Sequence, residues 1–448
     1  MISTGFPSAF SFFPVLTRSS LPSSCLKLVR QVQPPPAGAL HFGFVQQQQR
    51  PLSYYANNSS YNLLLFSHRN RKTPTTSTPT SPAFSHHRQP RRSISHKPVK
   101  MVNKYSLLCL ENPLLDIQAT GTQELLDKYN LKANDAILAD PNTNHLELYD
   151  DLVNNYSAKF VAGGAAQNTA RGAQYILPAD SVLYIGCIGK DSYGQRLQEV
   201  CDAEGLRVEY RIDEEVPTGR CGVIITGHNR SMCTDLGAAN HYKLEHLKSE
   251  KIWKLVEEAE YFYVGGYHLT VSVPAILALA EEAAAKDKPF VMNISAPFIA
   301  QFFKDQLAST SKYWDYLIGN ETEAEAYAQA NELGTTDVKA IAKHLANLPK
   351  ENGKRKRVVI ITQGTHPTIV ATQGEEDVQE FEVHAVEEKD IIDTNGAGDA
   401  FAGGFLAGLV SGKDLRESID MAQWLASWNV RQLGPSYPQP KKSYTPSY

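Results

Sequence analysis

The sequence predicts an α/β protein, a three-layer α/β/α domain with a small β-sheet lid. Two observations predict it. After Asn240, short apolar runs alternate with amphipathic stretches of helical length, which implies a parallel sheet covered on both faces. Before that point, residues 207–226 alternate polar and apolar side chains about a Pro217-Thr218-Gly219 turn. Alternation of this kind marks antiparallel strands with two unlike faces, a sheet standing off the main body.

The elements follow in chain order. Ser106–Leu110 is a buried first strand, broken by Glu111-Asn112-Pro113. Gln123–Tyr129 is helical, and Gly163-Gly164 opens a helix over Ala166–Tyr175. Val182–Cys187 is a strand, and Gly194–Glu204 a helix stopped by Gly205. Arg207–Ile212 and Gly219–Thr226 are assigned to the small sheet. Strand–helix pairs then run Tyr261–Val264 with Pro274–Lys286, Phe290–Ile294 with Ala300–Ala308, and Trp314–Gly319 with Glu321–Gln329. A helix over Asp337–Leu348, a strand at Arg357–Thr362 and a hairpin within Thr368–Val383 come next. The chain closes with a strand at Asp390–Asp393 and helices over Gly398–Val410 and about Leu415–Leu433.

Charge divides the chain near residue 100. Residues 1–100 hold 12 Lys and Arg and no Asp or Glu, which leaves residues 101–448 at net −16. The first hundred residues, rich in Ser, Pro, Gln and Arg, are too polar to form a core. They read as a disordered extension: an organelle transit peptide, or translated sequence upstream of a start at Met101. The folded domain is expected over 101–448, with lid segments near 117–160 and 207–235. An acidic domain is a poor partner for nucleic acid, and no apolar run reaches the length of a membrane span. Six cysteines without a C-x-x-C pair fit reduced core thiols. The cytoplasm or nucleus is the expected location, or an organelle if the extension is a transit peptide.

Chemistry is concentrated in Asp393-Thr394-Asn395-Gly396-Ala397-Gly398-Asp399, where a loop enters a helix. Amides at a helix N-terminus make an anion site. An aspartate beside that site repels phosphate but serves as a base toward an attacking hydroxyl. The same residues also fit a Gly-rich helix cap with a dipole-held Asp, and taken alone they leave both readings open. Gly163-Gly164-Ala165-Ala166-Gln167-Asn168 is a second candidate: glycines for close approach, and an amide suited to a sugar hydroxyl. It reads equally as small-residue packing. A Walker loop is absent, and the late glycines lie in the wrong place for a dinucleotide fingerprint.

Together these motifs resemble the ribokinase (PfkB) family of carbohydrate and nucleoside kinases. The resemblance spans residues 105–435 and includes Glu111–Ile117, Thr226–Ser231, Gly319–Glu323 and Thr362–Gly364. It implies a ribokinase-like fold and transfer of the ATP γ-phosphoryl group to a hydroxyl, with Mg2+ and ATP required and a monomer expected. The stretches 111–117 and 226–231 favour the nucleoside branch and its 5′-hydroxyl. A sugar kinase of ribokinase or fructokinase type and a non-catalytic scaffold are the alternatives. By the resemblance, Asp399 is the base, and Gly396, Ala397, Gly398 and Arg230 stabilise the moving phosphate. Asp116, Gly164 and Asn168 grip the ribose, and Asn112 lies near the base. Asn293, Asn320, Thr362, Gly364 and Asn395 line the nucleotide site, and Glu323 supports magnesium through water. Where the family places a phenylalanine on the nucleoside base, this chain has Tyr267 or His268.

Overall fold

The computed structural model describes residues 105–133, 136–227 and 229–447. The expected 1–100 extension lies outside the described residues. Fourteen strands lie among the described residues: β1 (Leu107–Leu110), β2 (Leu114–Thr120), β3 (Ala136–Leu138), β4 (Lys159–Gly163), β5 (Val182–Gly189), β6 (Arg207–Asp213), β7 (Arg220–Thr226), β8 (Asn229–Asp235), β9 (Tyr261–Val264), β10 (Phe290–Asn293), β11 (Tyr316–Asn320), β12 (Val358–Gln363), β13 (His366–Thr372) and β14 (Gln379–Phe381).

Nine form the main sheet in the order β14-β13-β12-β11-β10-β9-β1-β5-β6. All neighbours from β12 to β6 run parallel, and β13 and β14 add an antiparallel edge. β1 sends Leu108 and Leu110 into one core and Leu107 and Cys109 into the other. This two-residue period is what a strand covered on both faces requires. Helices Val273–Lys286, Glu321–Ala330 and Val338–Ala346 cover the first face; Ala165–Ile176, Ala397–Val410 and Leu415–Asn429 cover the second. The fold is therefore the expected three-layer α/β/α arrangement.

The small sheet has the order β3-β8-β7-β2-β4. Helices Gln123–Lys128 and Glu147–Asn155 cover one face, burying Leu125, Leu126, Leu148 and Leu152 against Ile117 and Ile224. The other face carries Asp116, Cys221 and Thr234, which are in register across β2, β7 and β8 and face a cavity.

Several expectations are corrected. Residues 207–213 belong to the main sheet, parallel to β5 at its edge, so the second lid segment begins at Arg220. Alternating polarity reports a strand with one wet face; it does not say which sheet the strand joins. The helix expected over Ala300–Ala308 is two, Pro297–Phe302 and Lys304–Ser311, parted at Phe303. Residues 390–393 make no strand; a short 3-10 turn, Glu388–Asp390, precedes extended chain. The five described cysteines are free and buried, in keeping with their apolar surroundings. No described helix is long and apolar enough to cross a membrane.

One buried charge ties the first-face helices to the sheet. Arg357 is fully buried, and its guanidinium donates to the carbonyls of Ser311, Trp314, Leu345, Leu348 and Pro349 at 2.6–3.2 Å. Burial pushes its pKa down to about 10, so it stays charged at neutral pH. Arg357→Met would take the guanidinium donor from five carbonyls, of which Ser311 and Leu345 would keep backbone bonds from Trp314 and Leu348 at 3.3–3.4 Å. Urea denaturation should show a loss of about 3–5 kcal/mol, the range for removing one side of a buried charged network.

Candidate active site

Strand order reverses at β1: the chain proceeds through β5 and β6 on one side and through β9 to β12 on the other. Ligand crevices in such sheets form beyond the carboxyl ends of the strands at the reversal. A cavity of about 1540 Å³ lies there. The ends of β1 (Glu111, Asn112), β10 (Asn293), β11 (Gly319, Asn320) and β12 (Thr362) line its floor, and the uncovered face of the small sheet forms one wall.

The signature turn opens onto the cavity. Gly396 takes a left-handed conformation (φ 78°) and caps the helix Ala397–Val410. A side chain added at Gly398 would meet nothing within 4 Å, so open space borders the first-turn amides, of which that of Ala397 is taken by the Thr394 carbonyl at 3.2 Å. Such amides lack intrahelical partners and favour an anion. Asp399 sits among them, half-buried, with its Oδ2 accepting a 3.0 Å hydrogen bond from Asn168 Nδ2. Arg171 in turn donates to Asn168 Oδ1 at 3.2 Å and forms an ion pair with Glu204 at 2.5 Å. The amide of Asn168 is thus held at both ends, which fixes the carboxyl of Asp399.

Burial raises four of the carboxyls that line this cavity. Asp399 is pushed up to about 6, opposed in part by the bond from Asn168. Asp116 rises to about 7, with Arg171 pulling the other way. Glu323 rises to about 7 and Glu111 to about 8. By the roles the resemblance implies, Asp399 and Asp116 would have to lose their protons before a hydroxyl substrate is engaged. Activity is therefore kept above these values and lost as pH falls through them. The kcat/KM profile should break between about pH 7 and 6 and approach a log slope of 2 below it. An ordinary aspartate titrates near ~3.9, and a single break there would exclude both groups.

The remaining site residues divide into three groups. Asn112, Asp116, Gly164, Asn168, Tyr267, Asn293, Asn320, Thr362, Gly364 and Asn395 line the cavity together with Asp399. Glu323 also reaches the cavity, but Asn320 holds both its oxygens in a reciprocal capping box at 3.0–3.1 Å. His268 and Arg230 lie elsewhere. His268 is fully buried behind the cavity wall, its Nδ1 3.0 Å from Asn112 Oδ1, so it orients Asn112 and is not placed to stack on a ligand. Tyr267 does line the cavity, its ring 5.9 Å from the Phe298 ring. Arg230 lies outside the cavity lining, 2.5 Å from the Asp393 carboxylate. The sequence placed that acid next to the anion site without revealing that the two would pair.

The apolar wall was not foreseen. Leu138 of β3 and Phe302 are 64% and 77% exposed, and both face the cavity with Phe298, Phe303 and Met232. No sequence signal was available for Leu138, because β3 is too short to show a period. Glu111, also on the floor, stands out in the sequence only as the first residue of the Glu111–Ile117 stretch.

A family model described as pfkB family carbohydrate kinase matches residues 123–442. The adenosine kinase of Saccharomyces cerevisiae is 48% identical over 343 residues, 76% of this chain and 98% of that protein. That of Schizosaccharomyces pombe is 46% identical, covering 77% of this chain and 99% of the relative. Among solved structures, Anopheles gambiae adenosine kinase in complex with P1,P4-di(adenosine-5) tetraphosphate superposes with a TM-score of 0.70 at 43% identity, over 74% of this chain and 98% of its own. Schistosoma mansoni adenosine kinase in complex with 2-fluoroadenosine gives a TM-score of 0.69 at 36% identity, over 74% of this chain and 97% of its own.

Proposed function

The chain belongs to the pfkB family of carbohydrate kinases, and from that premise we propose that it transfers the γ-phosphoryl group of ATP to the 5′-hydroxyl of adenosine, giving AMP and ADP. The observation that carries the reading is the position of Asp399, in the first turn of a helix and in one cavity with Asp116, Asn168, Asn320 and Asn395. The reaction recovers a nucleotide from a free purine nucleoside, the chemistry of purine salvage.

Asp116 accepts the ribose hydroxyls, backed by Gly164 and Asn168. Asn112 meets the base edge and Tyr267 its face. Asp399 removes the 5′-hydroxyl proton as O5′ attacks the γ-phosphorus and the bond to the ADP oxygen breaks. The amides from Gly396 to Asp399 stabilise the charge on the moving group. Arg230 joins them by exchanging Asp393 for phosphate. The small sheet closes over the nucleoside and excludes water, which disfavours hydrolysis.

Among the described residues no group of three or more His, Cys, Asp or Glu could hold a metal. Asn293 and Asn320, with Glu323, would hold the water shell of a magnesium ion, which would supply neutralising charge to the ATP phosphates. A monomer in the cytoplasm, or in an organelle if residues 1–100 are a transit peptide, belongs to the same proposal.

The test is turnover with Mg-ATP and adenosine, inosine, ribose or fructose. AMP formed from adenosine supports the proposal. Phosphorylation of a free sugar alone overturns the substrate, and adenosine binding without turnover overturns the enzyme reading.

A further inference from the structure

The helix Ala165–Ile176 carries Asn168, the residue that holds Asp399. Its N-terminus has an unusual construction. The N-cap is Gly164, which has no side chain to accept from the first-turn amides. Nor can it be given one cheaply. Gly164 sits at φ 89°, and a Cβ there would lie 2.4 Å from the carbonyl oxygen of Asn112. Ser or Asp, the residues that ordinarily cap helices, are excluded by the same close approach that brings this backbone to the ligand cavity.

The cap comes from another element. Glu111, the first residue after β1, is 1% exposed and accepts a 2.8 Å hydrogen bond from the Ala166 amide on its Oε2. Its other oxygen, Oε1, is buried with no hydrogen-bond partner. That oxygen occupies the space beside Gly265, where an added Cβ would fall 1.8 Å from it. Three residues far apart in sequence therefore interlock. Gly164 leaves the cap open, Glu111 supplies it, and Gly265 leaves room for the carboxyl that does so.

We propose that Glu111 is a positioning residue for phosphoryl transfer: from the end of β1 it caps the helix that holds Asn168 against Asp399, at a size that only glycine at position 265 accommodates. The proposal rests on the kinase reading of the site. Burial and the neighbouring Asp399 raise the carboxyl of Glu111 toward about 8. Around neutral pH it is therefore largely uncharged, and an amide of the same shape can replace it.

The experiment compares Glu111→Ala, Glu111→Gln, Gly265→Ala and the double variant Glu111→Ala/Gly265→Ala. It reads kcat and the two KM values, with hydrogen exchange at Ala166, Gln167 and Asn168 as a measure that needs no turnover. Glu111→Ala should lower kcat about 10–100-fold with KM for ATP within about twofold, and speed exchange at these amides. Glu111→Gln should restore kcat to within about threefold of the parent and restore protection. Gly265→Ala alone should be as damaging as Glu111→Ala, and the double variant no worse than either, because the clash vanishes with the carboxyl. If Glu111→Ala does not fold, the contrast between Glu111→Gln and Gly265→Ala carries the test. Unchanged kcat and exchange in Glu111→Ala would overturn the proposal, as would multiplicative losses in the double variant. A parent protein without kinase activity would sink the kinase reading instead, and the exchange data would still judge the cap.

Discussion

Asp399→Asn should lower kcat by about 10²–10⁴-fold, the span expected when a general base is lost, while leaving both KM values near those of the parent. The substitution suits the site sterically. Asn168 donates its Nδ2 to Asp399 Oδ2, and an asparagine can keep that bond by presenting its own oxygen. Fold and binding are then retained, and only the capacity to take a proton is gone. Steady-state kinetics with an unchanged melting temperature would establish the loss as chemical. A variant that kept its kcat would leave the turn as a phosphate cradle and send the search for a base elsewhere.

Asp116→Ala should have its effect on the nucleoside side. The carboxyl is buried on the cavity face of β2, in register with Cys221, and burial raises it to about 7. A ribose that supplies two hydroxyls to it forms two hydrogen bonds to a charged acceptor, each contributing about 1.5–3 kcal/mol. Their loss corresponds to about 10²–10⁴ in kcat/KM for adenosine, with KM for ATP little changed. The control is the 2′,3′-dideoxy nucleoside, which lacks both hydroxyls. The parent enzyme should discriminate strongly against it and Asp116→Ala should not. Equal discrimination by both proteins would place the ribose elsewhere.

What the sequence disclosed followed the physics of each element. The parallel strands β9 to β12 were legible because a strand covered on both faces is a continuous apolar run flanked by helices of ordinary length. The Asp393–Asp399 turn was legible because an anion site at a helix N-terminus needs small residues in a fixed order. The small sheet was poorly legible. Only three residues, Glu111-Asn112-Pro113, separate β1 from β2, so the break that ended one strand concealed the next. β6 shows the alternation of a lid strand but lies at the edge of the main sheet, since polarity records exposure and not pairing. Arg230 and His268 enter through the family resemblance, and partners distant in sequence, Asp393 and Asn112, determine where their side chains lie. The role of Glu111 is not legible in its own stretch, because it depends on two glycines elsewhere in the chain.

Four carboxyls with raised pKa values in one cavity also make this site a proton reservoir. Near neutral pH, Asp116, Glu323, Glu111 and, to a lesser degree, Asp399 are divided between two protonation states. A sugar hydroxyl or a hydrated cation that engages such a group favours its anion, so occupancy expels hydrogen ions into the solvent. The heat of association then contains the ionisation heat of whatever buffer receives them. Enthalpies obtained in phosphate and in Tris would differ by that amount for the same contacts, and affinity is itself a function of acidity.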